Sequence, residues 1–329
     1  MLPITILIPT MNRPDYLQRA LTYYRDAGFS GCVLIGDSSE GDVAARVREL
    51  ADRFGQGAYQ VRLLQYPASM ALVDVWRSMI AEVKTPYVTY AGDDDLQIPV
   101  SLQGAVDFLE NNQDYVAVKC EMLEVWTGQA APYGEIIGGF RTRFPNYDIG
   151  TARQRFVTYA QMALSVQYGV YRTDVWRTAY NLIPTPYLPY FGEEFFPCAI
   201  CVVLGKIKSL PYLGTIQQVD GSGGVWKRHT MFDLIRAPEW PELARLFQTR
   251  IAALIAQLDR IALVHAEALT EQILWWHVNM FMQHHYKTKF EQQKAEDRQN
   301  EQDVLAQLKR SHAFPLIEAA FRRPLPDGQ

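Results

Sequence analysis

The chain has 329 residues, close to half of them hydrophobic, so it can bury one large core or two ordinary ones and is globular rather than disordered. A formal net charge of −4 leaves no basic surplus for a nucleic-acid backbone, which argues against nucleic acid as a partner. Four cysteines are too few for a disulfide framework and point to a reducing, cytoplasmic setting.

The opening "MLPITILIPTMNRP" has no basic region ahead of its apolar run and no small-residue cleavage site behind it, so it reads as a first strand, not a signal peptide. Pro14 then suits a first helical turn, Leu17, Leu21 and Tyr24 share one helical face, and Gly28 is a natural stop. Further strands are predicted at 32–37, 59–66 and 87–91, and helices at 42–54 and 69–83. Four apolar strands separated by three helices predict an α/β fold with a mostly parallel sheet flanked by helices.

The middle is mixed. It offers a helix in "SLQGAVDFLENN", a long strand over 115–126, a Gly- and Tyr-rich passage to about Gly150, a helix in "ARQRFVTYAQMA" and a strand in "VQYGVYR". "GEEFFPCAICVVLGKIKSLP" reads as turn, helix and strand; its Cys198 and Cys201 have redox or zinc spacing, but with apolar neighbours and no second pair they read as part of a buried helix. From about Pro238 the pattern is helical, including a polar, solvated run over 289–303. The predicted division is 1–235, with halves 1–110 and 111–235, and a helical region 236–329. "ILWWHVNMFM" (273–282) falls short of the ~18 apolar residues of a membrane span. It gives that region a sticky face for another copy of the chain or a membrane surface, and His284 and His285 beside it read as structural or exposed.

Right-handed crossovers put the carboxyl ends of parallel strands on one edge of the sheet, where ligands bind. Three polar clusters fall there: "PTMNR" (9–13), "GDSSEGD" (36–42) and "GDDD" (92–95). Three adjacent carboxylates at the end of a buried strand repel one another, and a hard divalent cation is the simplest compensation. An acidic turn that merely starts the helix at Pro99 is the plainer reading, although a cap needs one Asp rather than three. In an extended segment Asp93 and Asp95 point together, whereas in a turn all three can converge. A cation is most useful with an anionic substrate such as a nucleoside diphosphate. Asp37 and Ser38 then suit a base or ribose, and Asn12 and Arg13 lie where the nucleotide would. No Gly-x-Gly-x-x-Gly turn or Gly-x-x-x-x-Gly-Lys-Ser/Thr loop is present, which counts against a dinucleotide oxidoreductase or P-loop enzyme.

"ITILIPTMNRPDYLQRAL", "VLIGDSSEGD" and "YVTYAGDDDLQIPVSL" together resemble, in that order, the nucleotide-binding half of GT-A fold glycosyltransferases of family 2. The resemblance covers about residues 3–110 and thins to scattered matches as far as about 230. It implies that Pro9, Thr10, Asn12, Arg13, Asp37 and Ser38 contact the nucleoside, that Asp93 takes the ribose, and that Asp94 holds Mn²⁺ or Mg²⁺ on the diphosphate. Asp95 and His229 are further metal candidates. Gly92 stands where the family's Asp-x-Asp motif has its first acid.

The segment around "FGEEFFP" resembles the second acidic motif of inverting members, which supplies the base for the acceptor hydroxyl. Aligning the Gly-Glu-Asp pattern favours Glu194, and members with a single acid after the Gly favour Glu193. A carboxylate just before a helix N-terminus stays ionised, as a base must. In "QQVDGSGGVWKRH" the glycines permit a donor loop in which Trp226 covers a sugar or base and Lys227, Arg228 and His229 meet the diphosphate or metal. Tyr147, Tyr159, Tyr168, Tyr171, Trp176, Tyr187, Tyr190 and Phe191 cluster in the implied acceptor region, where half-buried rings serve a core as readily as a sugar. The implied activity is metal-dependent, inverting transfer from a nucleotide-sugar, foremost a UDP-sugar, to a hydroxyl of a glycan or glycolipid. The competing readings are a metal-dependent phosphoryl or nucleotidyl transferase using the same acids, and a non-catalytic nucleotide- or protein-binding module.

Overall fold

The computed structural model describes residues 1–57, 59–128, 131–162, 164–219, 231–290 and 304–321, without the side chains of 232 and 284–290. Trp226, Lys227, Arg228 and His229, the polar run from 291 to 303, and the side chains of His284 and His285 lie outside the described residues.

Among the described residues the chain forms a nine-stranded mixed α/β sheet in the order β3-β2-β1-β4-β8-β6-β9-β5, with β7 paired to β6. β1 (Ile4–Thr10), β2 (Cys32–Asp37), β3 (Gln60–Gln65) and β4 (Tyr87–Tyr90) run parallel. Between them lie α1 (Pro14–Asp26), α2 (Gly41–Phe54) and α3 (Leu72–Ala81). The sequence places all four strands and all three helices, with α3 starting three residues later than its apolar pattern implies. β1 and β2 are apolar on both faces because each face is covered by helices.

The second half mixes directions, with three of its strands antiparallel to their neighbours. β6 (Tyr115–Thr127) lies parallel to β9 (Lys206–Gln218), and β8 (Val170–Arg172) joins β4 to β6 antiparallel to both. Two strands carry no usable sequence signal. β5 (Asp95–Gln97) is three residues long and exists because β9 pairs with it, and β7 (Ile136–Thr142) sits within the Gly-rich passage.

Helices fill both faces. On one, α1, α2 and α4 (Pro99–Asn111) pack on Ile4, Ile6 and Ile8. On the other, α3, α5 (Ala152–Met162), α6 (Thr173–Asn181) and α7 (Phe196–Leu204) pack around Leu7, Leu34 and Val88. α7 is buried along nearly its whole length, and Cys198 and Cys201 are free buried thiols pushed up by that burial.

After α8 (Met231–Arg236) the described residues are mainly helical, as their pattern predicts. α9 (Trp240–Asp259) turns Leu243, Phe247, Ile251 and Ile255 inward at helical spacing, and α10 (Leu263–Phe290) adds Leu274, His277 and Val278 to the same core as α5 and α7. Trp275 and Trp276 stay exposed at 51% and 37%. The last helix, α11 (Phe314–Phe321), returns to the opposite face and seats Ile317, Ala320 and Phe321 in the core beside α1. No helix among the described residues is long and apolar enough to cross a membrane.

Candidate active site

The strand order changes direction at β1, whose successors lie on one side (β2) and then the other (β4), so a crevice opens beyond the ends of β1 and β4. All three predicted edge clusters line it. Thr10 and Asp37 are register partners at the ends of β1 and β2, and Ser38 N donates to Thr10 O at 3.0 Å. Asn12 adopts a left-handed conformation, φ 59°, and its amide donates to Ser39 Oγ at 2.8 Å, tying the first loop to the second. Asp37 is fully buried and accepts from Ser39 N at 2.9 Å and Gln65 Nε2 at 2.7 Å. A carboxylate has about four lone-pair sites, so it retains acceptor capacity toward a ligand.

The three aspartates divide. Ala91 N still bonds to Leu7 O, after which a turn closes from Asp95 N to Gly92 O at 3.1 Å. In this turn Asp93 and Asp94 face the same guanidinium: Arg13 Nη1 donates to Asp93 Oδ1 at 2.7 Å and Asp94 Oδ2 at 3.0 Å. Thr10 Oγ1 also donates to Asp93 Oδ2 at 2.7 Å. Asp95 turns inward, accepting from the Tyr168 hydroxyl at 2.7 Å and from Gln218 N at 3.2 Å. Burial pushes the carboxyls of Asp93 and Asp95 above the usual range, with Arg13 opposing at Asp93. Burial alone would lower Arg13, but the charges of Asp93 and Asp94 outweigh it and raise it. Asp94 is the most open of the three, its side chain 26% exposed.

Gly92 has a steric explanation. A Cβ there would lie 2.6 Å from Asp94 Oδ1 and 2.8 Å from Asp95 Oδ2, closer than carbon can approach. A side chain at position 92 would therefore require the carboxylates of Asp94 and Asp95 to move.

The second acidic cluster sits in a single π-helical turn, Phe191–Phe195, entered through Tyr190 at φ 59°. Such turns and left-handed non-glycine residues concentrate at functional sites. Glu193 and Glu194 are both half-buried in it. Glu193 lines a pocket of about 280 Å³ with Ala71, Thr185, Pro186, Tyr187 and Pro189, while Gln167 Nε2 holds its carbonyl at 3.1 Å. The charge of Glu194 acts on the buried Tyr159, Tyr190, Cys198 and Lys119 side chains.

Tyr90, at the end of β4, connects the two clusters. It packs against Tyr168 at 5.1 Å and edge-on against Trp76 at 5.2 Å. Burial raises its hydroxyl far above the ordinary tyrosine value, and the charges of Asp95, Asp94, Asp93 and Glu193 all push the same way. The implied acceptor aromatics split as well. Tyr147, Tyr159, Tyr171, Trp176, Tyr190 and Phe191 are core side chains, whereas Tyr168 and Tyr187 stay partly open beside the acids.

Three residues escape the sequence reading. Arg19, 1% exposed, donates from Nη2 to Asp94 O at 2.6 Å and from Nη1 to Pro132 O at 2.6 Å and to Gln218 Oε1. Burial lowers it to about 10 against the pull of Asp94 and Asp95. Gln218 is the second. Lys119 is the third: fully buried, with no hydrogen-bond partner for Nζ among the described residues, it lies 4.5 Å from the Phe144 ring and 5.2 Å from the Tyr168 ring, and burial lowers it to about 7. A charged residue within the apolar run "YVAVKCEML" is the signal that could have found it; Arg19 has no such signal.

Among the described residues no three His, Cys, Asp or Glu side chains are grouped to cage a metal ion. The donors fit a different arrangement. Mg²⁺-type sites often take one or two carboxylates from the protein and the rest from water and substrate phosphate, and Asp94 offers one partly open carboxylate at the crevice.

This arrangement, a parallel nucleotide-type half joined to a mixed half with acids at the switch point, is a GT-A glycosyltransferase fold. The structure is similar to TarS 1-349 of S. aureus in complex with UDP-GlcNAc, with 16% identity, 90% of this chain and 77% of that chain covered, and a TM-score of 0.58. It is similar also to a second crystal structure of S. aureus TarS 1-349 (16% identity, 97% and 83% covered, TM-score 0.56). A longer TarS chain matches at 15% identity over 88% of this chain and 46% of its own length, with a TM-score of 0.53. No protein-family model matches the sequence, and no curated protein does.

Proposed function

We propose that the protein is a metal-dependent glycosyltransferase that moves a sugar from a UDP-sugar to an acceptor hydroxyl, with inversion. The observation that carries this reading is that two acidic turns, Asp93–Asp95 and Glu193–Glu194, are linked by packed side chains, from Asp95 through Tyr168, Tyr90, Trp76 and Tyr180 to the Glu193 backbone, in a GT-A fold. The UDP-GlcNAc and UDP named for TarS support the choice of donor.

Asp37 and the backbone of Pro9, Thr10 and Ser38 would hold the nucleoside, with Asn12 setting the loop. Asp93, fixed by Thr10 and Arg13, would take the ribose, and Asp94 would hold Mn²⁺ or Mg²⁺. The ion's contribution when bound is to offset charge on the departing diphosphate. Asp95, with both oxygens engaged, serves by fixing the turn. Trp226, Lys227, Arg228 and His229 remain the proposed donor loop.

The acceptor oxygen attacks the anomeric carbon from the face opposite the diphosphate. One carbon–oxygen bond forms as the anomeric carbon–phosphate oxygen bond breaks. The acceptor's proton passes to a carboxylate of the π turn, Glu193 on the pocket side or Glu194 by the motif match, and the electron pair leaves with the nucleoside diphosphate. The pocket beside Glu193, lined by Tyr187 and two prolines, would receive a sugar ring of a glycan or glycolipid. Residues 1–235 carry the whole of this chemistry, and the helical region from 236 supports it.

The test is a thermal-shift series with UDP, GDP and UDP-sugars, with and without Mn²⁺. A ligand at about 100 times its Kd adds roughly 2.7 kcal/mol. No stabilisation by any nucleoside diphosphate in the presence of metal would overturn the proposal.

A further inference from the structure

The acid turn rests on a residue that touches neither solvent nor, in the proposed reaction, any substrate. Arg19 projects from α1 into the protein and gathers three carbonyl oxygens: Asp94 O and Pro132 O, each at 2.6 Å, and Gln218 Oε1. Gln218 in turn donates its backbone amide to Asp95 Oδ1 at 3.2 Å. The backbone of Asp94 and the carboxylate of Asp95 are therefore fixed from one side by the same pair of residues. A guanidinium suits this task because its donors form a rigid planar fork, whereas an ammonium is a single point that cannot reach three separated acceptors.

The cation is covered by the far end of the described chain. Phe321, the last residue of α11, is fully buried with its ring 4.3 Å from the guanidinium carbon. Its carbonyl accepts from Gly134 N at 2.8 Å, two residues beyond the Pro132 that Arg19 holds. The contacts close a circuit from Arg19 to Phe321 and back to Arg19 through Gly134 and Pro132, with Asp94 O held by the same guanidinium. Ring and cation attract most when both are out of water, as here.

We propose that Arg19 is a positioning residue for Asp94, and that Phe321 makes the C-terminal helix part of the donor site by holding the Arg19 guanidinium in plane. This rests on the reading of Asp94 as the acid that carries the ion. Residues that orient a metal-binding carboxylate typically change metal affinity by about 10–100-fold when altered. A filler of the core would change stability alone.

The experiment compares full-length Arg19→Lys, Phe321→Leu and Phe321→Trp with Ile317→Val, a conservative change at a fully buried position one turn earlier on the same helix that removes no side chain or hydrogen bond of the circuit. Three readouts are taken: unfolding midpoint, calorimetric affinity for UDP with Mn²⁺, and amide hydrogen exchange over residues 92–97. Phe321→Leu and Arg19→Lys are expected to weaken Mn²⁺·UDP by at least about 10-fold and speed exchange over 92–97. Phe321→Trp restores both, while Ile317→Val lowers the midpoint only. If Phe321→Leu behaves like Ile317→Val, with affinity and exchange unchanged, the proposal is overturned. Should the wild type bind no nucleoside diphosphate, the proposed function fails and the exchange comparison alone decides the role of Arg19 and Phe321. Should Arg19→Lys fail to fold, the two Phe321 variants decide it.

Discussion

Arg13 and Asp94 meet at 3.0 Å through a guanidinium nitrogen that also holds Asp93 at 2.7 Å, so one cation stands between the two carboxylates that face the crevice. The repulsion that the sequence poses is met, before any ligand arrives, by a residue from the β1 loop. Arg13 and a divalent ion would draw on the same carboxylate.

A first prediction follows for Arg13→Gln. The Arg13 and Asp94 side chains are 32% and 26% exposed, so that pair contributes no more than about 1 kcal/mol after solvent screening, while Asp93, at 5%, keeps its Thr10 partner when Arg13 is replaced. The variant should melt slightly below the wild type without metal and gain more from Mn²⁺, because the carboxylates are left uncompensated. Melting curves at stepped Mn²⁺ concentrations check this, and an equal Mn²⁺ response in both proteins would count against a cation site at Asp94.

Asp94 and Asp95 are expected to fail in different ways. Asp94→Asn should leave the unliganded midpoint nearly unchanged and abolish metal-dependent stabilisation by UDP, since the side chain is partly exposed. Asp95→Ala leaves the buried Gln218 backbone amide without this acceptor, at about 1–3 kcal/mol, and removes the partner of the half-buried Tyr168 hydroxyl at a smaller cost. Denaturant unfolding beside the nucleotide thermal shift separates the two effects. A large loss of fold stability in Asp94→Asn would contradict the division of roles.

The π turn supplies the third. Replacing the residue that accepts the acceptor's proton by Gln should lower turnover by about 10²–10⁴-fold while leaving donor affinity intact. Glu193→Gln and Glu194→Gln measured separately, by sugar transfer and by calorimetric donor binding, identify the base. If both variants transfer at the wild-type rate, neither carboxylate is the base and the single-displacement mechanism is wrong.

The legible part of this site is the part written in strand periodicity. Apolar runs that end in polar residues locate Thr10, Asp37 and Asp93 at the strand ends, because parallel topology forces those ends to one edge. What the sequence left open is how adjacent acids partition. Asp95 points inward because β9 captures it as the first residue of β5, a pairing 122 positions distant in the chain (95 to 217) that no local pattern encodes. Gly92 reads as a departure from an acidic motif, and only the distances to Asp94 and Asp95 show that a side chain there would displace their carboxylates. Arg19 is hidden for a related reason. Its three acceptors come from three distant segments, so on its own helix it looks like any surface arginine.

His277 carries the last prediction. It lies on α10, 1% exposed, stacked on Phe195 at 3.7 Å with Nε2 3.2 Å from the Tyr190 hydroxyl, so the helical region grips both ends of the turn that bears Glu193 and Glu194. The groups packed around it include the Phe195 and Phe281 rings, the Tyr190 hydroxyl and the Ala160 backbone, all neutral, and burial, opposed by the Ala160 backbone, lowers its pKa to about 3. The unfolded chain takes up this proton near the ordinary histidine value of about 6.5, whereas the folded chain does not. This contribution is therefore fully present above about pH 6.5 and is lost as pH falls from there toward 3, at up to about 1.4 kcal/mol per pH unit. His277→Gln, which keeps a hydrogen-bonding group toward Tyr190 but cannot take up the proton, should show a shallower fall in stability between pH 6.5 and 4.5. Urea unfolding at half-unit pH steps measures the difference between the two slopes. Parallel slopes would mean that His277 titrates alike in the folded and unfolded chains, and the neutral, buried anchor for the π turn would have to be abandoned.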